Sequence, residues 1–397
     1  MSNNPREAVI VSAVRTPVGK FGGTLAPLSA SDLGSVAIRA AVERAGIDPV
    51  TIDEVLMGNV VLAGQGQAPA RQASIKSGVP ATICATTVNK ICGSGLKTVM
   101  LAAAMVAAGD GDIFVAGGME SMDNGPYLLK KARFGYRLGD DELVDAMVHD
   151  GLWCAFENHH MGNSAEWIAR EYGVTRPQAD EYAYNSHMKA IAAIDEGRFK
   201  DEIVPVELPQ RKKPPIIFDT DEVPRRDTSM EALARLKPVF DPQGIVTAGN
   251  APGITDGAAA TVVMSRAKAE ELGVQPLARV VAYSQAAVEP IRIFTAPIFA
   301  VRDLWARTGT TVDDYDLFEV NEAFAVQTLA DGWELGLPWE KVNVNGGAIA
   351  LGHPIGCSGA RVLVTLIYAL RHRGLSRGLA ALCLGGGEAV AMSIELE

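Results

Sequence analysis

The segment VNKICGSGLK, residues 88–97, decides the fold class. An apolar strand runs into Cys92, and an apolar helix that continues through Ala108 begins within two or three residues of this cysteine. A second segment, VNGGAIALGHPIGCSGA at residues 344–360, has Cys357 at a similar place and also leads into an apolar helix. In both places the helix is followed by an apolar strand that ends in glycines. Because order and spacing both repeat, the sequence predicts two similar halves.

The regions around these segments consist of predicted strands that alternate with helices. Ala8–Val14 and Asp112–Ala116 are uninterrupted apolar runs, and a helical pattern covers Ser31–Ala45. Ile52–Val60 and Val312–Val320 are a further matching pair. Buried strands alternating with helices predict an α/β protein with largely parallel sheets. The alternative is that glycine-rich turns between strand and helix recur in any α/β protein, but the repeated order favours duplication.

The two halves are predicted to span residues 1–120 and 275–397, with a segment of different character between them. Residues 121–250 contain runs of charge, several prolines and most of the histidines, and a return strand continues to about residue 274. Surface connections of this kind often hold binding residues. We therefore expect an inserted loop domain over the active-site face.

The composition argues against several classes of protein. The 397 residues have a net charge of -11, so nucleic acid is not an expected partner. The chain begins with polar residues, and no run approaches the ~18 apolar residues of a membrane span, which argues against a secreted or membrane protein. The five cysteines include no C-x-x-C pair, so neither disulfides nor a metal site is expected. Free thiols fit a reducing compartment, by default the cytoplasm.

Cys92 is the sharpest candidate for chemistry. A thiol between a strand and the start of a helix faces the positive end of the helix dipole and unpaired N–H groups, which predicts a lowered thiol pKa. The glycines at positions 93 and 95 allow a substrate to approach the backbone closely. The alternative is a buried structural cysteine at a tight turn.

Three further candidates end strands or lie among glycines. His353, between Gly352 and Pro354, can accept a thiol proton or donate to an oxyanion, and otherwise would be a core histidine. Cys383 ends an apolar strand before three glycines, whose N–H groups can form an oxyanion hole. Asn321 also follows a strand, where it can hold a water or polarise a carbonyl, or cap the next helix.

Together these segments resemble the thiolases, in particular acetyl-CoA acetyltransferases and 3-ketoacyl-CoA thiolases. The Cys92 segment is followed by NEAFA at 321–325, GHPIG at 352–356 and CLGGG at 383–387, and this combination in this order is specific to the family. The resemblance extends over nearly the whole chain. It implies an α/β thiolase fold with two βαβαββ-type halves, a layered α/β/α/β/α core and an inserted loop domain.

The resemblance also implies roles for five residues. Cys92 would be the nucleophile that becomes acylated, and His353 would activate it. His353 and a water held by Asn321 would form one oxyanion hole, and the N–H groups of Cys92 and Gly385 would form the other. Cys383 would be the general acid and base for the proton on the substrate α-carbon. No metal or organic cofactor is implied, because coenzyme A thioesters are the substrates.

A coenzyme A site is implied by the same resemblance. Its residues would be His160, Met161, Arg225, Phe240, Ala248, Gly249 and Pro252. Arg225 would contact the nucleotide, since a guanidinium suits phosphate, although Arg225-Arg226 could instead be a solvated charged face. Two departures from the family pattern leave the acyl-chain preference open: Pro252 replaces a serine, and Ile293-Phe294 replaces Met-Gly.

We therefore expect an acyl-CoA C-acyltransferase that condenses two acetyl-CoA molecules to acetoacetyl-CoA, or runs thiolysis of a 3-ketoacyl-CoA, through an acyl-cysteine. The alternatives are a ketosynthase-like condensing enzyme, a non-catalytic acyl-CoA or lipid carrier of the same fold, and a thiol redox sensor that uses Cys92 and Cys383. Residues 130–140 resemble the tetramer loop of the family, so a homotetramer or homodimer is expected.

Overall fold

The structure is a computed structural model that describes residues 5–397. Its strands in this range are β1 Ala8–Arg15, β2 Gly19–Lys20, β3 Glu54–Gly58, β4 Cys84–Val88, β5 Ile113–Ser121, β6 Tyr127–Leu128, β7 Val144–Asp145, β8 Trp153–Cys154, β9 His159–His160, β10 Val206–Gln210, β11 Lys213–Phe218, β12 Thr255–Ser265, β13 Ala278–Ala287, β14 Leu317–Val320, β15 Arg377–Leu384 and β16 Glu388–Leu396. The α-helices are α1 Ala30–Ala45, α2 Pro69–Ser77, α3 Ser94–Ala108, α4 Met161–Glu171, α5 Arg176–Asp195, α6 Met230–Ala234, α7 Arg266–Leu272, α8 Ala296–Thr308, α9 Ala325–Leu335, α10 Ala348–Leu351 and α11 Ile355–Arg373.

One mixed sheet runs through the molecule in the order β14-β15-β16-β13-β1-β12-β5-β3-β4, with β2 beside β12. β1 pairs with β12 along most of its length but with β13 only at Val9 and Ile10, so this junction divides the sheet into two groups. In the first group β3 is parallel to β4 and β5, and β12 and β1 follow antiparallel. The second group repeats this order with β14, β15, β16 and β13, and Val342 bridges Phe318 where the first group has β4. The predicted duplication is therefore present in the strand order.

The helices form the other layers of the fold. α3 and α11 pack on each other and against strands of both groups, and their apolar side chains fill the core between the groups. α1 and α2 cover the outer face of the first group, and α8 covers that of the second. The central helices approach closely because Gly95 and Gly359 lie at their contact, where a side chain on either would collide with the other helix. The layered α/β fold predicted from the sequence is confirmed. The expectation of largely parallel sheets was wrong, because most neighbouring strands of the main sheet are antiparallel, including β12 with both β1 and β5.

The segment between β5 and β12 contains the short hairpins β6–β7, β8–β9 and β10–β11 together with α4, α5 and α6. The chain returns from it through β12, which enters between β1 and β5. All residues of β12 are buried. The first group of strands is thus closed by a strand that comes late in the sequence.

One stretch has the length and composition of a membrane-spanning helix. Ile91–Ala108 has a hydropathy of 1.6 over 18 residues, and 56% of it is buried. The prediction that no run approaches such a length was wrong on this measure. The stretch contains α3, the helix packed between the two groups of strands, and a buried core helix passes the same test. It therefore gives only weak support for a membrane.

Candidate active site

A cavity of about 440 Å³ lies where β14 and β15 end and the first turns of α3 and α11 meet. All of the predicted site residues line it except Asn321 and Gly249. Its other walls are mostly apolar and include Ile91, Met122, Leu152, Thr247, Ala251, Ile254, Ile293, Phe294, Phe324 and Ile355. Residues from both halves and from the inserted segment therefore meet around one cavity, as binding sites commonly do.

The turn that presents Cys92 is strained and held by its own hydrogen bonds. Ile91 has a φ of 46°, a left-handed conformation that is rare for a β-branched residue. The Ser94 hydroxyl accepts from the Lys90 N–H at 2.8 Å and donates to the Ile91 carbonyl at 2.6 Å. The sequence contained no sign of this strain, because nothing in a β-branched residue predicts a positive φ.

The environment of Cys92 disagrees with the predicted pKa. Burial raises the pKa of this thiol to about 12, although the N–H groups of Gly385 and of Cys92 itself point at the sulfur and lower it. The predicted lowering by the helix start was wrong, because desolvation of the thiolate outweighs these donors. Cys92 is therefore a thiol in the free site, and its attack on a thioester needs a base.

His353 has the protonation state that such a base needs. Its Nδ1 lies 2.6 Å from the Ser358 hydroxyl, which in turn donates to the Pro354 carbonyl at 2.9 Å. Because the hydroxyl has a single proton, Nδ1 must be the donor to Ser358, and Nε2 keeps its lone pair. Burial lowers the pKa of His353 to about 3, with a further contribution from the charge of Arg361. The imidazole is thus neutral at physiological pH and can accept a proton at Nε2.

Asn321 lies directly behind His353. Its Nδ2 is 3.4 Å from His353 Nε2, and its side chain is fully buried. Its Oδ1 has no hydrogen-bond partner among the residues that the structure describes. The residue that caps α9 is Phe324, so Asn321 is not the helix cap that the sequence left open. A buried amide oxygen without a partner is suited to hold a water.

Cys383 and Gly385 occupy the end of β15 and the turn after it. Burial raises the pKa of Cys383 well above its ordinary value, and negative charge on Cys92 raises it further. Gly386 and Gly387 have φ values of 89° and 88°, which only glycine adopts easily. Together they turn the chain so that the Gly385 N–H faces the Cys92 sulfur. The mutual effect of the two thiols favours ionising one of them at a time.

Six of the seven predicted coenzyme A residues line the cavity. The rings of His160 and Phe240 stack with centroids 4.7 Å apart at the cavity wall, where Met161, Ala248 and Pro252 also lie. Gly249 does not line the cavity. A side chain there would meet Leu233 and Leu236, so this glycine permits packing rather than ligand contact.

The two adjacent arginines differ in their surroundings. Arg225 lines the cavity, and its backbone N–H donates to Nδ1 of His187 at 3.2 Å. Arg226 points away and forms an ion pair with Asp195, with Nη1 and Oδ2 3.0 Å apart. Both arginines are exposed, so a solvated charged face still describes both of them, but only Arg225 also lines the cavity.

Aromatic side chains close the cavity on the side where Ile293 and Phe294 replace the Met-Gly of the family pattern. Ile293 and Phe294 are buried in its wall. Phe294 packs edge-on against Phe324, with ring centroids 5.3 Å apart, and Phe324 also meets Phe240.

Glu120 is a residue of this site that the sequence analysis missed. Its buried carboxylate accepts from the N–H groups of Val60, Val61 and Gly356 and from the Asn59 side chain. It thereby joins loops of both halves beneath Cys92, whose pKa its charge raises. The only sign in the sequence was an acidic residue after the glycines of a buried strand.

No group of three or more His, Cys, Asp or Glu side chains that could hold a metal ion occurs between residues 5 and 397.

Comparisons with known proteins identify the family of this chain. Residues 8–267 match the model of the thiolase N-terminal domain, and residues 274–396 match that of the thiolase C-terminal domain. Acetyl-CoA acetyltransferases from Cupriavidus necator and Escherichia coli are 53% and 54% identical to this chain, each over 98% of it and 99% of the relative. The crystal structure of the Bacillus anthracis acetyl-CoA acetyltransferase is 43% identical, with a TM-score of 0.97 over 100% of both chains. On these matches, and on the cavity that both halves build, this chain belongs to the thiolase family.

Proposed function

We propose that this protein is an acetyl-CoA C-acetyltransferase, which condenses two acetyl-CoA molecules to acetoacetyl-CoA and catalyses the reverse thiolysis. The observation that carries the proposal is the meeting of Cys92, His353 and Cys383 around one largely apolar cavity. The names of the similar proteins from C. necator and E. coli support the same substrate.

In the first step His353 Nε2 takes the proton of Cys92 as the sulfur attacks the acetyl-CoA carbonyl. The carbon–sulfur bond to coenzyme A breaks, the leaving thiolate receives the proton, and an acetyl group remains on Cys92. The N–H groups of Cys92 and Gly385, which face the sulfur in the free site, stabilise the oxyanion of this step. Removal of one such donor typically costs about 3 kcal/mol of transition-state stabilisation.

In the second step the neutral His353 Nε2 takes the proton of Cys383, and the resulting thiolate removes a proton from the methyl group of another acetyl-CoA. The enolate oxygen is stabilised by the proton now on His353 Nε2 and by a water on Asn321. The carbanion attacks the acetyl group on Cys92, a carbon–carbon bond forms, and the Cys92 thiolate leaves and takes the proton from His353. Because covalent transfer divides one difficult reaction into two, each barrier is lower than that of direct condensation. The general-base role of a thiol, Cys383, is what separates this proposal from a ketosynthase-like enzyme.

The cavity walls support a preference for short acyl groups. Phe294 and Phe324 close one side of the cavity, and both are buried. Arg225, at the cavity lining, is the cation that would meet the phosphates of coenzyme A.

A homotetramer in the cytoplasm is part of the proposal. All five cysteines are free thiols, which fits a reducing compartment. The inserted segment exposes several large apolar side chains: Tyr127, Leu129, Phe134, Leu138 and Leu143. Such clusters usually mark protein contacts. Light scattering at micromolar concentration should give four times the mass of one chain, and the mass of a single chain would contradict this part of the proposal.

The experiment that tests the reaction is thiolysis of acetoacetyl-CoA by free coenzyme A, followed by loss of the enolate absorbance. The native protein should consume the substrate, and Cys92→Ala should lose activity by a factor of at least ~10³. A longer 3-ketoacyl-CoA in the same assay should react more slowly. If neither substrate reacts, the protein is a non-catalytic binder and the proposal is wrong.

A further inference from the structure

The two N–H groups that face the Cys92 sulfur come from different halves of the molecule. One belongs to the turn before α3, and the other belongs to Gly385 in the turn after β15. Between these turns, Ile91 packs on Gly385, with the nearest side-chain carbon 3.1 Å from where a Cβ on the glycine would lie. Apolar contact is non-directional, so it keeps the two turns together but does not fix how far one is shifted along the other.

A single ion pair joins the same two turns. Lys90 Nζ lies 2.6 Å from Glu388 Oε2, and the two side chains are 19% and 40% exposed. Lys90 is two residues before Cys92, and Glu388 is three residues after Gly385. Lys90 is largely shielded and Glu388 is partly exposed, whereas fully exposed ion pairs contribute little to stability. Lys90 therefore lies at the start of the turn that holds the Cys92 N–H, and Glu388 lies at the end of the turn that holds the Gly385 N–H.

Lys97 is a further charged group near this pair. Lys97, one turn into α3, senses both charges: burial and Lys90 lower its pKa, and Glu388 raises it. Lys97 Nζ itself donates to Gln285 Oε1 at 3.3 Å. Glu388 therefore offsets two lysines, but its direct contact is to Lys90.

We propose that the Lys90–Glu388 ion pair is a positioning device that holds the Cys92 turn against the Gly385 turn, so that both N–H groups converge on one oxyanion. The inference rests on the proposed function for its catalytic consequence, while the placement of the two turns can be tested separately. Neither residue touches substrate in this account. Both act through the donors on Cys92 and Gly385.

The test uses Lys90→Met and Glu388→Met, which keep the length of the stems without charge, and the exchange Lys90→Glu/Glu388→Lys. In the thiolysis assay each single variant should lose about 10-fold in kcat with KM changed less than about twofold, because a displaced donor weakens transition-state binding. The exchange variant should recover to within about threefold of the native kcat. Glu271→Met, which breaks the 2.6 Å pair with Lys268 on α7, is the matched control and should leave kcat unchanged.

A second measurement needs no enzymatic activity. Alkylation of Cys92 by iodoacetamide at pH 8, resolved by peptide mass spectrometry from the exposed Cys84, reports how well the N–H groups support the thiolate. If the pair positions the donors, both single variants should slow alkylation about threefold or more. If the charges act only through space, Lys90→Met should slow alkylation and Glu388→Met should accelerate it, which would overturn the proposal.

Unchanged alkylation in both single variants, or an exchange variant as slow as the single variants, would also overturn it. Failure of the native protein in the thiolysis assay would instead contradict the proposed function, and the alkylation rates would still decide the role of the ion pair.

Discussion

The first and second halves of the molecule end their central strands in the same register. Gly58 of β3 pairs with Gly118 of β5, and Val320 of β14 pairs with Ala381 of β15. Both pairs are parallel and occupy the last residues of β3 and β14. Residues that follow them can therefore be compared position by position.

That comparison shows different chemistry at matching places. β3 and β14 are each followed by an asparagine, Asn59 and Asn321. On the neighbouring strands, the residue two positions after the paired residue is Glu120 on β5 and Cys383 on β15. Asn59 Nδ2 donates to Glu120 at 2.6 Å, whereas Asn321 Nδ2 lies 3.4 Å from His353 Nε2, and the amide oxygens of both asparagines have no partner among the described residues. The first half uses these positions to join loops, and the second half leaves its groups free to react.

The central helices show the same division. α3 and α11 contact each other at Gly95 and Gly359. Three residues before these glycines are Cys92 and Gly356, and six residues before Gly359 is His353. The sequence comparison had set Cys92 against Cys357, one position further on. Duplication thus supplied a symmetric frame, and the two halves supply different parts of one proposed reaction.

The largest effect should follow from removal of the reactive group of the second half. Cys383→Ala should lower kcat for thiolysis by about 10³-fold or more, because no other group at that position can take the α-carbon proton. The fold should remain intact, since the side chain becomes smaller at a strand end. Acylation of Cys92 by acetyl-CoA, measured by intact-mass spectrometry, should persist, and its absence would show that Cys383 does more than assumed.

The corresponding change in the first half should affect stability. In Glu120→Gln one carboxylate oxygen becomes an NH₂ group, and two N–H donors lose their acceptor whichever oxygen is replaced. Unfolding in urea should show a loss of about 1–3 kcal/mol.

The pH dependence of this variant adds a second check. Burial raises the pKa of Glu120 from 4.5 to about 7, so the folded protein binds more protons than the unfolded chain between these values. The contribution of Glu120 to stability therefore falls as the pH rises from about 4.5 to about 7. Glu120→Gln should lack this component, and an unchanged slope would contradict the assignment.

The smallest effect is expected at Cys357. It is buried in α11, and burial raises its thiol pKa to about 12. Cys357→Ala should cost about 1 kcal/mol of stability and leave kcat within about twofold of the native value. A collapse of activity would show that Cys357, rather than Gly356, is the functional counterpart of Cys92.

Local patterns in the sequence predicted the frame well. The helix expected at Ser31–Ala45 is found at Ala30–Ala45, because Gly46 ends it with a φ of 66°. The family resemblance implied that His353 and Cys383 would reach one site, and both line the cavity. The helix was predictable because its pattern rests on residues close together in the chain.

Properties that depend on surroundings were not predictable in the same way. The pKa of Cys92 is set by burial among residues distant in sequence, and the helix start visible in the sequence is the weaker effect. The bonds of Glu120 reach Gly356, which is 236 positions away. Gly249 looked like a ligand contact because it is small, but its size serves packing against Leu233 and Leu236.

The position of β12 has a consequence for how the chain is made. β1 and β5 are complete by residue 121, yet β12, which separates them, ends at Ser265. During synthesis the half that holds Cys92 therefore leaves the ribosome with two unpaired strand edges and a gap between them, and such edges invite contact with other chains. β12 can fill the gap only after the whole inserted segment has emerged. The site around Cys92 is therefore completed late in synthesis of the chain.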